Sequence, residues 1–181
     1  MTIVQKMKDA FERNIRAITA RPYIAEGTAV TKATISEGFT CEIEDGPWKL
    51  TVDLAEKHGG ENAGPNPGVL GRGSLASCLA MCYVRWAAKF DVPLSNVTVE
   101  VQADYDARGE YGVADDVPMG YSEVRYIVSL ESDAPEAEIM KVLNHADTHS
   151  SYIDVFTNDQ HLRREVKISR PANKADFKQT A

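Results

Sequence analysis

Residues 64–87, GPNPGVLGRGSLASCLAMCYVRWA, decide how this chain folds. The turn Gly64-Pro65-Asn66-Pro67 closes a stretch, residues 58–68, so rich in glycine and proline that no regular element survives it; a loop is predicted there. Past it the composition changes. Between Ser74 and Ala88, small and apolar residues cover most of the circumference of a helix. A helix apolar on nearly all sides is buried on more than one of them. Arg85 is the only charge within this run, and Lys89 follows near the C-terminal end, where a cation suits the helix dipole. The pattern predicts a central core helix over 69–90, ended by Asp91-Val92-Pro93.

Upstream, residues 28–53 alternate with period two and are rich in Thr, Val, Ile and Phe. With a turn signal at Asp45-Gly46-Pro47, they read as an antiparallel meander of about three strands. Before them, Ile3, Met7, Phe11, Ile15 and Ile18 recur at three- and four-residue steps and predict a helix over 3–19. Arg21-Pro22 ends it, because a residue before proline leaves the helical region. Downstream, 96–106 and 122–132 alternate as strands, with a polar loop between them. Residues 133–149 read as a helix capped by Ser132 or Asp133, with Pro135 in its first turn. Residues 150–156 fit either state, 161–169 read as a last short strand, and the tail from 170 reads as loose. The order predicts an α+β fold rather than alternating βα units. Residues 1–27 form an N-terminal helical extension and 28–181 the main domain.

Composition narrows the function classes. Lys and Arg total 20 against 27 Asp and Glu, a net charge of -7. That argues against nucleic-acid and anionic-membrane surfaces, whose affinity rests on basic residues. No apolar run reaches the ~20 residues of a spanning helix. The N-terminus carries charges throughout and lacks the apolar core of a signal peptide. The expectation is a cytoplasmic protein. Its three cysteines, Cys41, Cys78 and Cys82, are then core residues, ligands or reactive thiols rather than a disulfide framework.

The segment 64–87, together with the order of elements around it, resembles the OsmC/Ohr family, which contains hydroperoxide reductases and members without an assigned reaction. The resemblance covers roughly residues 28–168 and rests on the turn Gly64-Pro65-Asn66-Pro67, the small-residue helix with Cys78, the strands NVTVEVQAD and VRYIVSLES, the helix from Pro135 and the segment HADTHSSY. It implies an intertwined homodimer, with central long helices wrapped by antiparallel sheets. The all-round apolar helix 74–88 fits such enclosure. In active members a cysteine attacks the hydroperoxide as thiolate, an Arg and a Glu activate it, and a second cysteine resolves the sulfenic acid. Here Cys78 matches the attacking cysteine, Gly68 stands where the Glu would be, and Ser150 aligns with the resolving cysteine. No arginine occurs near residues 38–41, where the family's Arg would lie.

Each candidate site residue has a plainer reading beside the functional one. Cys78 is either a reactive thiol or a small buried hydrophobe. Cys41 falls near the missing Arg and is either a substitute resolving thiol or an inward strand residue. Cys82, one turn after Cys78, reads as a core cysteine, because a helix holds the pair in poor geometry for a disulfide. Arg72 and Arg85 flank Cys78 and could replace the lost Arg electrostatically, or form ion pairs within a dimer. His145 and His149, at i and i+4, could share a zinc ion only with a third ligand and read rather as interfacial or helix-end residues. The glycine-rich loop lacks nucleotide-binding spacings, and the aromatics read as core and interface residues.

Two functions follow from these readings. One is a hydroperoxide reductase reduced to a single clear catalytic residue, Cys78, and regenerated by an external thiol. The other is an inactive protein that holds a small apolar ligand at the subunit boundary, in a pocket enlarged and made less polar by Gly68. No cofactor or metal is implied.

Overall fold

The computed structural model describes residues 1–169. The long central helix α2 spans Pro67–Phe90, two residues earlier than its apolar pattern begins. Asn66 caps it, its side chain accepting from Val69 N at 3.1 Å, and Pro67 takes the first helical position, where its missing N–H costs nothing. Asp91 ends it in the left-handed region at φ 58.

Ahead of α2 the meander is present as β1 (Lys32–Ile35), β2 (Cys41–Asp45) and β3 (Trp48–Val52), antiparallel in that order. The loop from β3 into α2 is tied to the buried carboxylate of Asp53. That group accepts from the backbone N–H groups of Leu54, Glu61 and Ala63 and from the Thr40 hydroxyl. Burial works against the charge, and these four donors outweigh it, holding the carboxyl below its ordinary range. Gly64 is needed here, because a Cβ on it would lie 2.2 Å from the Thr51 carbonyl oxygen.

After α2 come β4 (Ser95–Tyr105) and β5 (Tyr121–Glu131), an antiparallel ribbon in which each strand has 11 residues. The loop between them begins with a single helical turn, α3 (Ala107–Glu110). Helices α4 (Glu136–Asp147) and α5 (Ser151–Thr157) follow, so the ambiguous segment 150–156 is helical. The core lies where α2 meets the ribbon and the last two helices. Leu75, Leu79, Cys82, Tyr83 and Ala146 are buried there, with Val99, Val101, Val124, Val128 and Leu143 packed around them. Burying a side chain such as Leu79, which is 0% exposed, contributes roughly 1.5–3 kcal/mol.

The N-terminal helix α1 (Ile3–Ala20) lies along the C-terminal half of α2. Phe11 meets Trp86 edge-on with ring centres 5.1 Å apart. Lys8 pairs with Asp91 at 2.5 Å and Lys89 with Glu12 at 3.0 Å. No described helix is long and apolar enough to cross a membrane.

Several expectations are corrected. Neither Ser132 nor Asp133 caps α4. Pro135 holds the cap position, and the Ser132 hydroxyl instead accepts from Ala134 N while donating to the Pro93 carbonyl. Residues 161–169 form no strand: Leu162, Val166 and Ile168 share one parity, but among the described residues none has a partner strand to pack or bond with, and all three are exposed. The tail read as loose, 170–181, lies outside the described residues.

Candidate functional site

Cys78 sits in mid-α2, half-buried, facing the start of α5. Its sulfur is 3.7 Å from the Ser150 hydroxyl and 3.7 Å from the Ser151 hydroxyl. Ser150 is buried and caps α5, its Oγ accepting from Ile153 N at 3.3 Å. A hydroxyl that accepts through one lone pair still has its proton to donate, so Ser150 can hold the cap and donate to the Cys78 sulfur at once. Burial pushes the Cys78 thiol up. The N–H of Tyr152, the hydroxyls of Ser151 and Ser150 and the charge of Arg85 together outweigh it and hold the thiol below its ordinary value.

Cys82, one turn later, makes the contrast. It is buried, and its sulfur faces acceptors, the carbonyls of Ala146 at 3.5 Å and His149 at 3.9 Å. Burial raises its pKa, and Arg85, which acts on both thiols, does not reverse that. At Cys78 the donors outweigh burial, whereas at Cys82 burial outweighs both Arg85 and the Trp86 side chain, so the two thiols shift in opposite directions. Cys78 is built toward thiolate, and Cys82 toward a core thiol, as its spacing suggests.

The other candidates divide. Ser150 meets Cys78, as its alignment with the resolving position implies, and all three cysteines are free thiols. Cys41 lies in β2, paired opposite Ile35 and Val52, and makes no hydrogen bond to Cys78 within the protomer. Arg85 projects from the same side of α2 as Cys78 and acts on it through charge. It forms no ion pair among the described residues; its guanidinium lies 5.5 Å from the centre of the Phe11 ring. Arg72 does not contribute to the Cys78 thiol. It donates instead to the Tyr121 hydroxyl at 3.1 Å.

Gly68 has polar neighbours within the protomer. A Cβ there would lie 3.1 Å from an Arg72 guanidinium nitrogen and 3.5 Å from the Tyr121 hydroxyl. The Asn66 amide oxygen would lie 3.2 Å away, so three polar groups flank the position that the family resemblance gives to an acid, and one of them, Arg72, carries the opposite charge.

His145 and His149 stack with ring centres 4.3 Å apart and an interplanar angle of 25°. Both lie against Trp86. Stacked rings do not converge their nitrogens on one ion, and among the described residues no three His, Cys, Asp or Glu side chains could hold a metal. His145 Nε2 is buried without a hydrogen-bond partner. Asp147, between the two, accepts from the buried Tyr83 hydroxyl at 2.7 Å and from Tyr126 at 3.1 Å.

Sequence reasoning missed Ser151 and the Tyr152 N–H. The signal was present: two serines ahead of IDVF, with an acid in the first turn and apolar residues around it, mark a helix start whose donors point backward.

Comparison with known proteins places this geometry in a family. The OsmC-like protein family matches residues 59–165. No curated protein matches the chain. Among solved structures, an OsmC-like protein from Mycoplasma pneumoniae superposes with a TM-score of 0.63 at 15% identity, covering 72% of this chain and 88% of that one. An organic hydroperoxide resistance protein OsmC from Legionella pneumophila gives 0.52 at 18% identity, covering 72% and 90%. An OsmC-like protein of unknown function from Vibrio cholerae gives 0.57 at 11% identity, covering 72% and 94%. At such identities the likeness carries the fold alone.

Proposed function

The chain belongs to the OsmC-like protein family, and from that premise we propose that it is a thiol-dependent hydroperoxide reductase working through one cysteine, Cys78. The observation that carries this reading is the set of donors around the sulfur: two hydroxyls at 3.7 Å and the N–H of Tyr152, which favour the thiolate against burial. The thiolate attacks the terminal oxygen of an organic hydroperoxide. An S–O bond forms, the O–O bond breaks, and the leaving alkoxide takes a proton to become the alcohol. Sulfur is oxidised to the sulfenic acid. Ser150, which stands where a resolving thiol would, cannot form a disulfide. An external thiol therefore condenses with the sulfenic acid, releasing water, and a second one frees Cys78 and leaves as a disulfide.

The same reading puts the protein in a reducing compartment, the cytoplasm, where thiol reductants are available. It also makes the protein a homodimer. All four residues of β1 are exposed, and Ile35, Leu50 and Met81 are each more than half exposed in one protomer. Apolar surface of that kind is ordinarily covered by another chain.

Cys78→Ser tests the assignment. Consumption of an organic hydroperoxide in the presence of a dithiol should fall to the rate without enzyme, while the thermal midpoint stays near that of the native chain. Turnover retained by the folded variant would refute it.

A further inference from the structure

Helices α4 and α5 are joined by Thr148, His149 and Ser150. The donors to Cys78 stand at the end of that turn, and a side chain at its start ties it to the rest of the protomer. Asp147, the last residue of α4, accepts from the Tyr83 hydroxyl at 2.7 Å through one oxygen and from the Tyr126 hydroxyl at 3.1 Å through the other. Its main-chain carbonyl accepts from Ser150 N at 3.3 Å. An acid at the C-terminal end of a helix opposes the helix dipole, so local helix stability does not account for this residue. The phenols do. Tyr83 is 0% exposed, and burial, then the Asp147 carboxylate, hold its pKa above the ordinary value, so it remains a donor at neutral pH.

Tyr83 stands on α2 five residues after Cys78, and Asp147 stands three residues before Ser150 and four before Ser151. The same two segments therefore meet twice, once through the short Tyr83–Asp147 bond and once through the 3.7 Å contacts of the Cys78 sulfur with the two serines. The first contact fixes the distance and rotation of the turn against α2, and Tyr126 anchors the same carboxylate to β5. The second depends on both, because a sulfur contact already long is lost with a small shift of the donor. We propose, on the reading of Cys78 as the reactive thiol, that Asp147 is a positioning residue: its carboxylate, held by Tyr83 and Tyr126, keeps Ser150 and Ser151 at hydrogen-bonding distance from the Cys78 sulfur. Such a role and a bare charge have opposite signs. A negative charge near a thiol raises its pKa, so removing a carboxylate that acted through charge would lower the Cys78 midpoint. Removing one that holds the donors raises it.

The pH dependence of alkylation at Cys78 in the full-length protein, located by peptide mass spectrometry, reads that midpoint. Asp147→Ala should raise it by about one pH unit, a tenfold loss of thiolate below the midpoint, as weakening of both hydroxyl contacts implies. Asp147→Asn should return it to the native value or below, because the amide oxygen still accepts from Tyr83 and the amide nitrogen can donate to the Tyr126 oxygen. Tyr126→Phe, at a position 39% exposed, breaks one tie without opening the core and should raise the midpoint by about 0.3 unit, roughly a twofold loss of thiolate. A residue that served stability alone would lower the thermal midpoint of unfolding and leave the thiol where it is. Melts identify a variant that has lost its fold, and should Asp147→Ala be one, Tyr126→Phe decides the matter. A thiol midpoint unchanged or lowered in folded Asp147→Ala, raised equally in Asp147→Asn, or unchanged in Tyr126→Phe overturns the proposal. Midpoints that move as expected, in a protein whose Cys78 reacts with hydroperoxide no faster than a free thiol, would overturn the peroxidase reading and leave the positioning role in place.

Discussion

Ser151→Ala probes the environment of Cys78 with little else disturbed. Ser151 is exposed, does not cap α5, and its hydroxyl lies 3.7 Å from the sulfur. A hydrogen bond to a charged partner contributes roughly 1.5–3 kcal/mol, and the long sulfur contact together with solvent exposure brings this one down to about 1 kcal/mol. That free energy corresponds to about a fivefold loss of thiolate at a pH below the thiol's midpoint. The rate of alkylation falls less, about twofold, because a more basic thiolate is also a better nucleophile. The assay is a pH titration of thiolate absorbance in a Cys41→Ser background, with alkylation at Cys78 followed by intact mass. Ser150→Ala should act in the same direction but also lose the α5 cap, costing about 1 kcal/mol of stability. An unchanged titration in Ser151→Ala would refute the claim that donors at the start of α5 set the state of Cys78.

Leu79→Ala empties a site that is 0% exposed and should cost about 2–5 kcal/mol in denaturant unfolding, whereas Leu162→Ala, at a position 93% exposed, should fall within about 0.5 kcal/mol of the native chain. His145 gives a pH test. Burial, then the nearby charges of His149 and Lys141, hold its pKa below the ordinary value of 6.5, so the unfolded chain binds the proton more readily than the folded one. Its contribution to stability is present above pH 6.5 and is lost as pH falls through the depressed folded value. In His145→Phe the stability measured between pH 7 and about pH 5 should decline less than in the native chain; an identical decline would contradict this assignment.

The long elements could be read because their periods are long and unbroken. Helix α2 announces itself by fifteen residues of small and apolar character ahead of Asp91, and β4 and β5 by strict alternation. Residues 161–169 hold Leu162, Val166 and Ile168 on one parity, yet that pattern records only that one face could be buried, and a strand also needs a neighbour to bond with. The cap of α4 was misplaced because the Ser132 hydroxyl is taken up by Ala134 N and the Pro93 carbonyl, and Pro93 is distant in sequence. Within the site, helical spacing sorts the arginines. Arg85 lies seven residues from Cys78, nearly two full turns, and shares its side. Arg72 lies six residues away, which turns it about 120° from Cys78 around the helix axis, and it bonds to Tyr121 instead. Ser150, aligned with the resolving position, lies 3.7 Å from the Cys78 sulfur. What spacing could not reveal is the sign of the surroundings. That Cys78 faces donors and Cys82 faces carbonyls depends on how α4 turns into α5, a matter of tertiary packing.

The central claim is that Cys78 alone carries peroxide chemistry, and the most direct test is the rate at which it becomes a sulfenic acid. The native protein is mixed with an organic hydroperoxide at neutral pH, the sulfenic acid is trapped, and each cysteine is located by mass spectrometry. The account predicts oxidation at Cys78 well ahead of Cys41 and Cys82, faster than a free thiol in solution and slowed in Ser151→Ala. Oxidation of Cys78 no faster than a free thiol would contradict it.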